Sequence, residues 1–186
     1  STMFDKKPYG FETQDSAGNN LNVSLMSLPK ENDWVLYASY SDKTFLRNEI
    51  PYYLSRSIGR YASRTAYCEL FINGSYRGLY VLMEKIKQDK NRVDIAKLNP
   101  QDTTGSELTG GYILKIDKPY DVGWQVNVNP LYGFDKAYYQ YHDPDSAELA
   151  PKQRAYIKDF MFKVESTLVS SNYRDTVNGY SKYIDV

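Results

Sequence analysis

The chain has 186 residues, and its 23 Lys and Arg balance 23 Asp and Glu, so the formal charge at neutral pH is zero. That balance excludes the one-sided basic excess of a nucleic-acid or membrane-surface binder. One cysteine, Cys68, and one histidine, His142, are too few for a disulfide framework or a Cys/His zinc site. No run approaches the ~18 apolar residues of a spanning helix. The 19 tyrosines are too many apolar-bodied rings for a disordered chain. What is left is a folded domain whose chemistry runs on carboxylates, lysines, arginines and hydroxyls.

Residues 1–7 carry no apolar signal-peptide core. Residues 9–13 read as a short strand, the cluster at 15–20 as a turn, and 21–25 as the partner strand. Asp42 is placed to cap a helix whose apolar positions Leu46, Ile50, Leu54 and Ile58 recur every fourth residue, with Gly59 to end it. Pro51 interrupts that pattern and predicts a kink or a split at Ile50. Residues 66–72 and 75–86 are β-rich and joined by Asn73-Gly74, the dipeptide favoured in two-residue hairpins. Residues 79–83 are apolar on both parities, which predicts a central strand covered on both faces. A polar stretch spans 87–107, followed by strands at 112–116 and 138–141. A long helix begins at Pro151 and runs over 152–170, with Ile157, Phe160, Met161, Val164 and Leu168 as its buried stripe. The order predicts an α+β fold, one antiparallel sheet around the hairpin with helices packed on it.

Several motifs fail on inspection. Gly105 and Gly110 have Walker-like spacing, but no Lys-Ser/Thr follows and a strand comes next instead of a helix. Asp89 to Asp94 imitates the start of a calcium loop without its glycine or distal glutamate. Asp143 and Asp145 beside His142 offer either an oxygen-rich ligand cluster or, more simply, a turn leading to the helix. The sequons at Asn22 and Asn73 matter only in a eukaryotic secretory setting.

Lys115 carries more. In Tyr112-Ile113-Leu114-Lys115-Ile116-Asp117 it shares the less apolar strand face with Ile113 and Asp117. That face is either simply solvated, or it holds an ammonium rigidly where nucleotide phosphates can meet it, as the third strand of kinases does. The second case needs an orienting carboxylate on a neighbouring helix. Glu165 lies at the edge of the helical stripe, where it is a candidate or an ordinary boundary carboxylate. Arg47, beside Leu46, can reach a buried acid or a phosphate, or form a structural ion pair. Glu84-Lys85 closes the hairpin strand and runs into Lys87, Lys90 and Arg92, a pattern that predicts a solvated loop.

Three blocks resemble the spore coat protein H (CotH) family. Leu28-Pro29 with Asn32-Asp33-Trp34-Val35-Leu36 and Asp42-Lys43-Thr44 forms the first. Ile72-Asn73-Gly74-Ser75-Tyr76-Arg77-Gly78-Leu79-Tyr80 through Glu84-Lys85-Ile86 forms the second, and Asn91-Arg92-Val93-Asp94-Ile95 the third. The likeness is strongest over 25–95 and continues through Gly110-Gly111-Tyr112 and the helix after Pro151. It implies an atypical kinase-like fold that transfers phosphate from Mg-ATP to protein serines, with placement at spore or cell surfaces or in secreted proteins. Lys115 is then similar to the nucleotide-binding lysine, and Glu165, Arg47, Glu84 and Lys85 complete the implied nucleotide-binding set. The family's metal-binding motif, of the Trp-Asp-x-Asp type after a proline, has no counterpart here, because Trp34 is followed by Val35 and Trp124 by Gln125. The resemblance therefore implies an N-terminal lobe, an incomplete domain over 1–186, with no catalytic residue or metal ligand of its own. The implied partner is a protein substrate or a surface or coat protein. A different class, a non-catalytic adhesion or coat module, is supported by the tyrosine wealth, since Tyr is a favoured contact residue.

Overall fold

The strands sort into two separate sheets, where the order of elements predicts one. A computed structural model describes residues 4–126, 128 and 137–185; the first three residues of the N-terminal segment and Val186 lie outside them. The fold is α+β, and the chain falls into two compact units, residues 1–94 and 95–186.

In the first unit, β1 (Tyr9–Glu12), β2 (Asp33–Tyr37), β3 (Thr65–Ile72) and β4 (Ser75–Glu84) form an antiparallel sheet in the order β1-β2-β4-β3. The partner of β1 is β2, with Phe11 opposite Trp34, and not the segment 21–25 expected from the turn at 15–20. Of that hairpin only the mouth forms, with Gln14 bridged to Asn20 and the Leu21 amide donating to the Thr13 carbonyl (2.9 Å); beyond it Val23 turns to bridge Glu31, and Leu21 is exposed. Burial decides the pairing: Trp34 is wholly buried and Leu36 nearly so, beside Leu28, Ala38, Tyr80 and Leu82. Local turn chemistry cannot compete with an aromatic residue that removes so much apolar surface from water.

Strands β3 and β4 meet with Ile72 opposite Ser75, and Asn73 and Gly74 both take positive φ, 50° and 76°. Those angles are what a type I′ turn requires and what Asn-Gly supplies at least cost. Tyr80, Val81, Leu82, Met83 and Glu84 are consecutively buried, so this end of β4 is covered on both faces.

The first helix, α1, is shorter than its apolar period suggested and spans Glu49–Ser57. Asp42 folds a turn ahead of it: Oδ1 accepts from the Thr44 amide (3.1 Å) and hydroxyl (2.6 Å), and Oδ2 from the Arg47 amide (2.9 Å). Phe45 takes φ 60°, which no helix tolerates. With Glu49 as first helical residue, Pro51 stands in the first turn, where amides lack intrahelical acceptors, so it neither kinks nor splits the helix. Gly59, at φ 80°, ends α1 through Arg60 N–H to Ser55 and Gly59 N–H to Arg56. The expected stripe is not a core. Leu46, Ile50, Leu54 and Ile58 are all exposed.

The second unit contains α2 (Gly105–Leu108), β5 (Ile113–Ile116), β6 (Gly123–Gln125), β7 (Tyr138–Asp143) and α3 (Pro151–Leu168). Its three strands form their own antiparallel sheet, β5-β7-β6. Leu98, Tyr141, Leu149 and Ile157 are its core, lined by Tyr112, Leu114, Trp124, Tyr156 and Phe160. Gln153 folds back to accept from the Ala150 amide (2.9 Å) and donates to the carbonyls of Asn99 and Asp102, which fixes the start of α3. Gly123 is obligatory, since a Cβ there would sit 2.1 Å from the Tyr139 carbonyl oxygen.

Pro51→Ala should change unfolding free energy by less than about 1 kcal/mol, because Pro removes no helical hydrogen bond there. Trp34→Ala should cost roughly 3–5 kcal/mol by emptying the first core. Urea denaturation of the two variants measures both.

Candidate functional site

The charged run at the end of β4 is not a solvated loop. Glu84 is buried, and its Oε1 accepts from the Arg64 Nε (2.8 Å) and from Arg92 Nη1, while Oε2 accepts from the Arg64 amide (3.0 Å) and the Tyr61 hydroxyl (3.4 Å). The Arg92 side chain is entirely buried and lies over the Trp34 ring, 4.9 Å from Cζ to centroid. Arg64 also donates to the Asn91 carbonyl, so two arginines tie the loop after β4 to one carboxylate. Burial, with the Glu84 charge nearby, pushes the Tyr61 phenol up to about 12. Sequence reasoning missed this network because arginine and glutamate are rarely fully buried unless paired, and the pairing is long-range.

Next to it, Lys87 Nζ donates to Glu31 (3.0 Å) and Asp33 (2.7 Å), and Lys85 donates to Asp33 (3.2 Å). Burial works against charge on Asp33, but hydrogen bonds from Lys87 and then Lys85 outweigh it and hold the carboxyl below its ordinary range. Burial likewise opposes charge on Lys87, and its bonds to Asp33 and Glu31 overcome that and raise it. Lys85 lines an open concavity of about 460 Å³ with Gly10, Phe11, Glu12 and Asp33. Arg47 points outward, its side chain 77% exposed, with Nε 3.8 Å from the buried Asp42.

In the second unit, Lys115 Nζ is 2.5 Å from Asp121 Oδ2. Asp121 lies in the β5–β6 turn, which β7 holds down: Gln140 Nε2 donates to the Lys118 carbonyl and the Tyr138 hydroxyl to that of Asp121. Lys115 pairs in register with Gln140 and Ile116 with Tyr139, so Lys115 and Tyr139 project from opposite faces. Tyr139 donates its hydroxyl to Glu165 on α3, and burial followed by that carboxylate drives the phenol far up. Lys115 and Glu165 are thus held by different partners on opposite sides of the sheet. Lys115 and Asp121, with His142, Asp145 and Ser146, line an open concavity of about 310 Å³. The segment after His142 is a turn, in which Asp145 accepts from the Ala147 amide.

Lys115 has donors beyond the one on Asp121, in a concavity that also holds the carboxylates of Asp121 and Asp145. Among the described residues no three His, Cys, Asp or Glu side chains converge to hold an ion. No helix among them is long and apolar enough to cross a membrane.

A short-stranded α+β chain with a strand lysine over a polar concavity, and with the ordered blocks around Asn73-Gly74, matches the family described as CotH kinase protein over residues 1–186. The chain belongs to that family. No curated protein and no solved structure matches it.

Glu84→Gln should destabilise the chain by roughly 3–5 kcal/mol, because Arg92 would keep its buried charge without a counter-ion. Lys87→Met should show a pH signature. The depressed Asp33 contributes stability above the unfolded carboxyl value of about 3.9 and loses it as pH falls, while the raised Lys87 contributes below about 10.4 and loses it as pH rises. The stability gap between wild type and variant should therefore be widest near neutrality and close at both extremes. Urea titrations across pH check this, and a pH-independent gap would contradict it.

Proposed function

We propose that the chain is the N-terminal part of a CotH-type kinase-like phosphotransferase, which moves phosphate from Mg-ATP to protein serines in the full-length parent, and that this polypeptide alone does not turn ATP over. The observation that carries the reading is membership of the CotH kinase family across the whole chain. Lys115, on a short strand facing an open polar concavity, supports it, because a strand-held ammonium suits a polyphosphate. In this reading Lys115 meets phosphate, and Glu165 steadies the same unit through Tyr139; Glu84 and Lys85 fix the framework of the other unit, which also carries Arg47. Bound Mg would neutralise developing phosphate charge. The chain has no Trp-Asp-x-Asp acids to hold it, which is why turnover needs more than these residues. The family name also favours action at a spore coat or cell surface.

One observation favours the second reading, a coat or adhesion module. Tyr67, Phe71 and Tyr76 are exposed on one face of the β3–β4 hairpin, and the Phe71 and Tyr76 rings lie 5.1 Å apart.

Radiolabelled ATP separates the readings. The 186-residue chain should transfer no phosphate to protein, while a C-terminally extended version should, and Lys115→Met in the longer protein should abolish ATP binding with an unchanged melting temperature. Incorporation by the short chain would overturn its inactivity. An extended protein that binds no ATP but loses coat-protein retention on Phe71→Ala would establish the binding module instead.

A further inference from the structure

The helix side of the second sheet carries a cleft of about 430 Å³, lined by Val122, Gly123, Tyr141, Pro151, Arg154, Ala155 and Lys158. It contains two cations and no carboxylate. Arg154 and Lys158 are four residues apart on α3 and so share one helix face, where like charges repel. Neither is ion-paired among the described residues. Arg154 has a long 3.4 Å bond from Nη1 to the Ser146 carbonyl, and Lys158 Nζ stands 5.7 Å from the centre of the Trp124 ring. The first turn of α3 also borders the cleft, and its positive dipole end adds to the same field.

A second, independent observation points inward. Tyr141 is 6% exposed, and its hydroxyl is buried with no hydrogen-bond partner among the described residues. Burial pushes that phenol up, and the Arg154 guanidinium opposes the rise. The neighbouring Trp124 indole N–H is likewise buried and unpartnered, with its ring 4.9 Å from that of Tyr141. Buried donors are almost always paired, so unpaired ones beside two unpaired cations ask for an acceptor.

We propose that this cleft is a binding site for a phosphate monoester, held by Arg154, Lys158 and the Tyr141 hydroxyl. A guanidinium fork and an ammonium bring two positive charges to one cleft, which a dianionic phosphate with three terminal oxygens balances and a singly charged carboxylate does not. The apolar walls from Val122, Pro151 and Ala155 suit the carbon-bearing ester part. The ester comes either from a phosphorylated protein side chain or from a free phosphorylated metabolite. Lys115 projects from the other face of the sheet, and its concavity meets this cleft at Val122 and Tyr141.

Calorimetric titration of the intact 186-residue chain tests it, with phosphoserine, a phosphoserine peptide, ribose 5-phosphate, inorganic phosphate and acetate as probes. Saturable binding of the monoesters is expected, with acetate at least about tenfold weaker. Arg154→Met and Lys158→Met should each weaken binding about tenfold or more, and Tyr141→Phe should weaken it less. Arg154→Lys, which keeps charge and loses the fork, should fall between wild type and Arg154→Met, and circular dichroism should show all variants folded. Tighter binding of the peptide than of phosphoserine assigns the ligand to protein, and the reverse to a metabolite. Absence of saturable binding, equal affinity for acetate, or insensitivity to Arg154→Met would each overturn the assignment.

Discussion

The first unit is organised around one buried charge pair. Glu84 and Arg92 are both removed from water, with Arg92 pressed against the Trp34 ring and Arg64 completing the carboxylate's shell. Taking a guanidinium and a carboxylate out of water costs several kcal/mol each, and such a pair need not outdo an apolar substitute in net stability. What it does is restrict geometry. Glu84 is the last residue of the central strand, so whatever binds it fixes where the chain goes next. Arg64 enters from the start of β3 and Arg92 from the loop beyond β4, and Arg64 also holds Asn91. The outer layer, Lys85 and Lys87 on Asp33 and Glu31, repeats the arrangement nearer to solvent, where its strength depends on pH.

The second unit is governed by which face of a three-stranded sheet each residue takes. Tyr139, Tyr141, Leu114 and Trp124 turn to α3, while Lys115, Gln140 and Tyr138 turn to the β5–β6 connection. The hydroxyl that reaches Glu165 and the ammonium that reaches Asp121 are therefore separated by the sheet itself. A lysine so placed keeps donors open toward solvent. Glu165, in contrast, has a local occupation in receiving the Tyr139 proton donor. Membership of the CotH kinase family gives this lysine its interest, and the two-sided sheet says which neighbours can work with it.

Much of the local structure was legible in the sequence. Asn73-Gly74 set a turn whose positive φ angles need those residues, and Pro151 opened a helix because a first turn has no use for its missing donor. Gly59 closed α1 for the complementary reason. Other signals misled. The four-residue period from Leu46 to Ile58 pointed to a buried face, yet periodicity states only that residues share a side. It does not say that anything covers that side. Pro51 looked disruptive only while the helix was drawn back to Asp42, and Phe45 at positive φ moved its start. The pairing of β1 with β2 was invisible because the turn at 15–20 is a local signal and the burial of Trp34 is not.

For the candidate site the division is sharper. The strand face of Lys115 followed from alternation, and the absence of a Trp-Asp-x-Asp motif is a property of the chain as written. The family blocks, too, are sequence facts. The partners of those residues are not. Asp121 for Lys115, Tyr139 for Glu165, and Arg92 with Arg64 for Glu84 lie 6 to 26 residues away along the chain. The unpaired Tyr141 hydroxyl beside Arg154 and Lys158 belongs to the same class. By itself the sequence determined element types, turns, strand faces and family, because each depends on local backbone chemistry or on ordered motifs. Only the tertiary structure decided which charges are buried and with whom, because desolvation and pairing depend on residues that folding alone brings together.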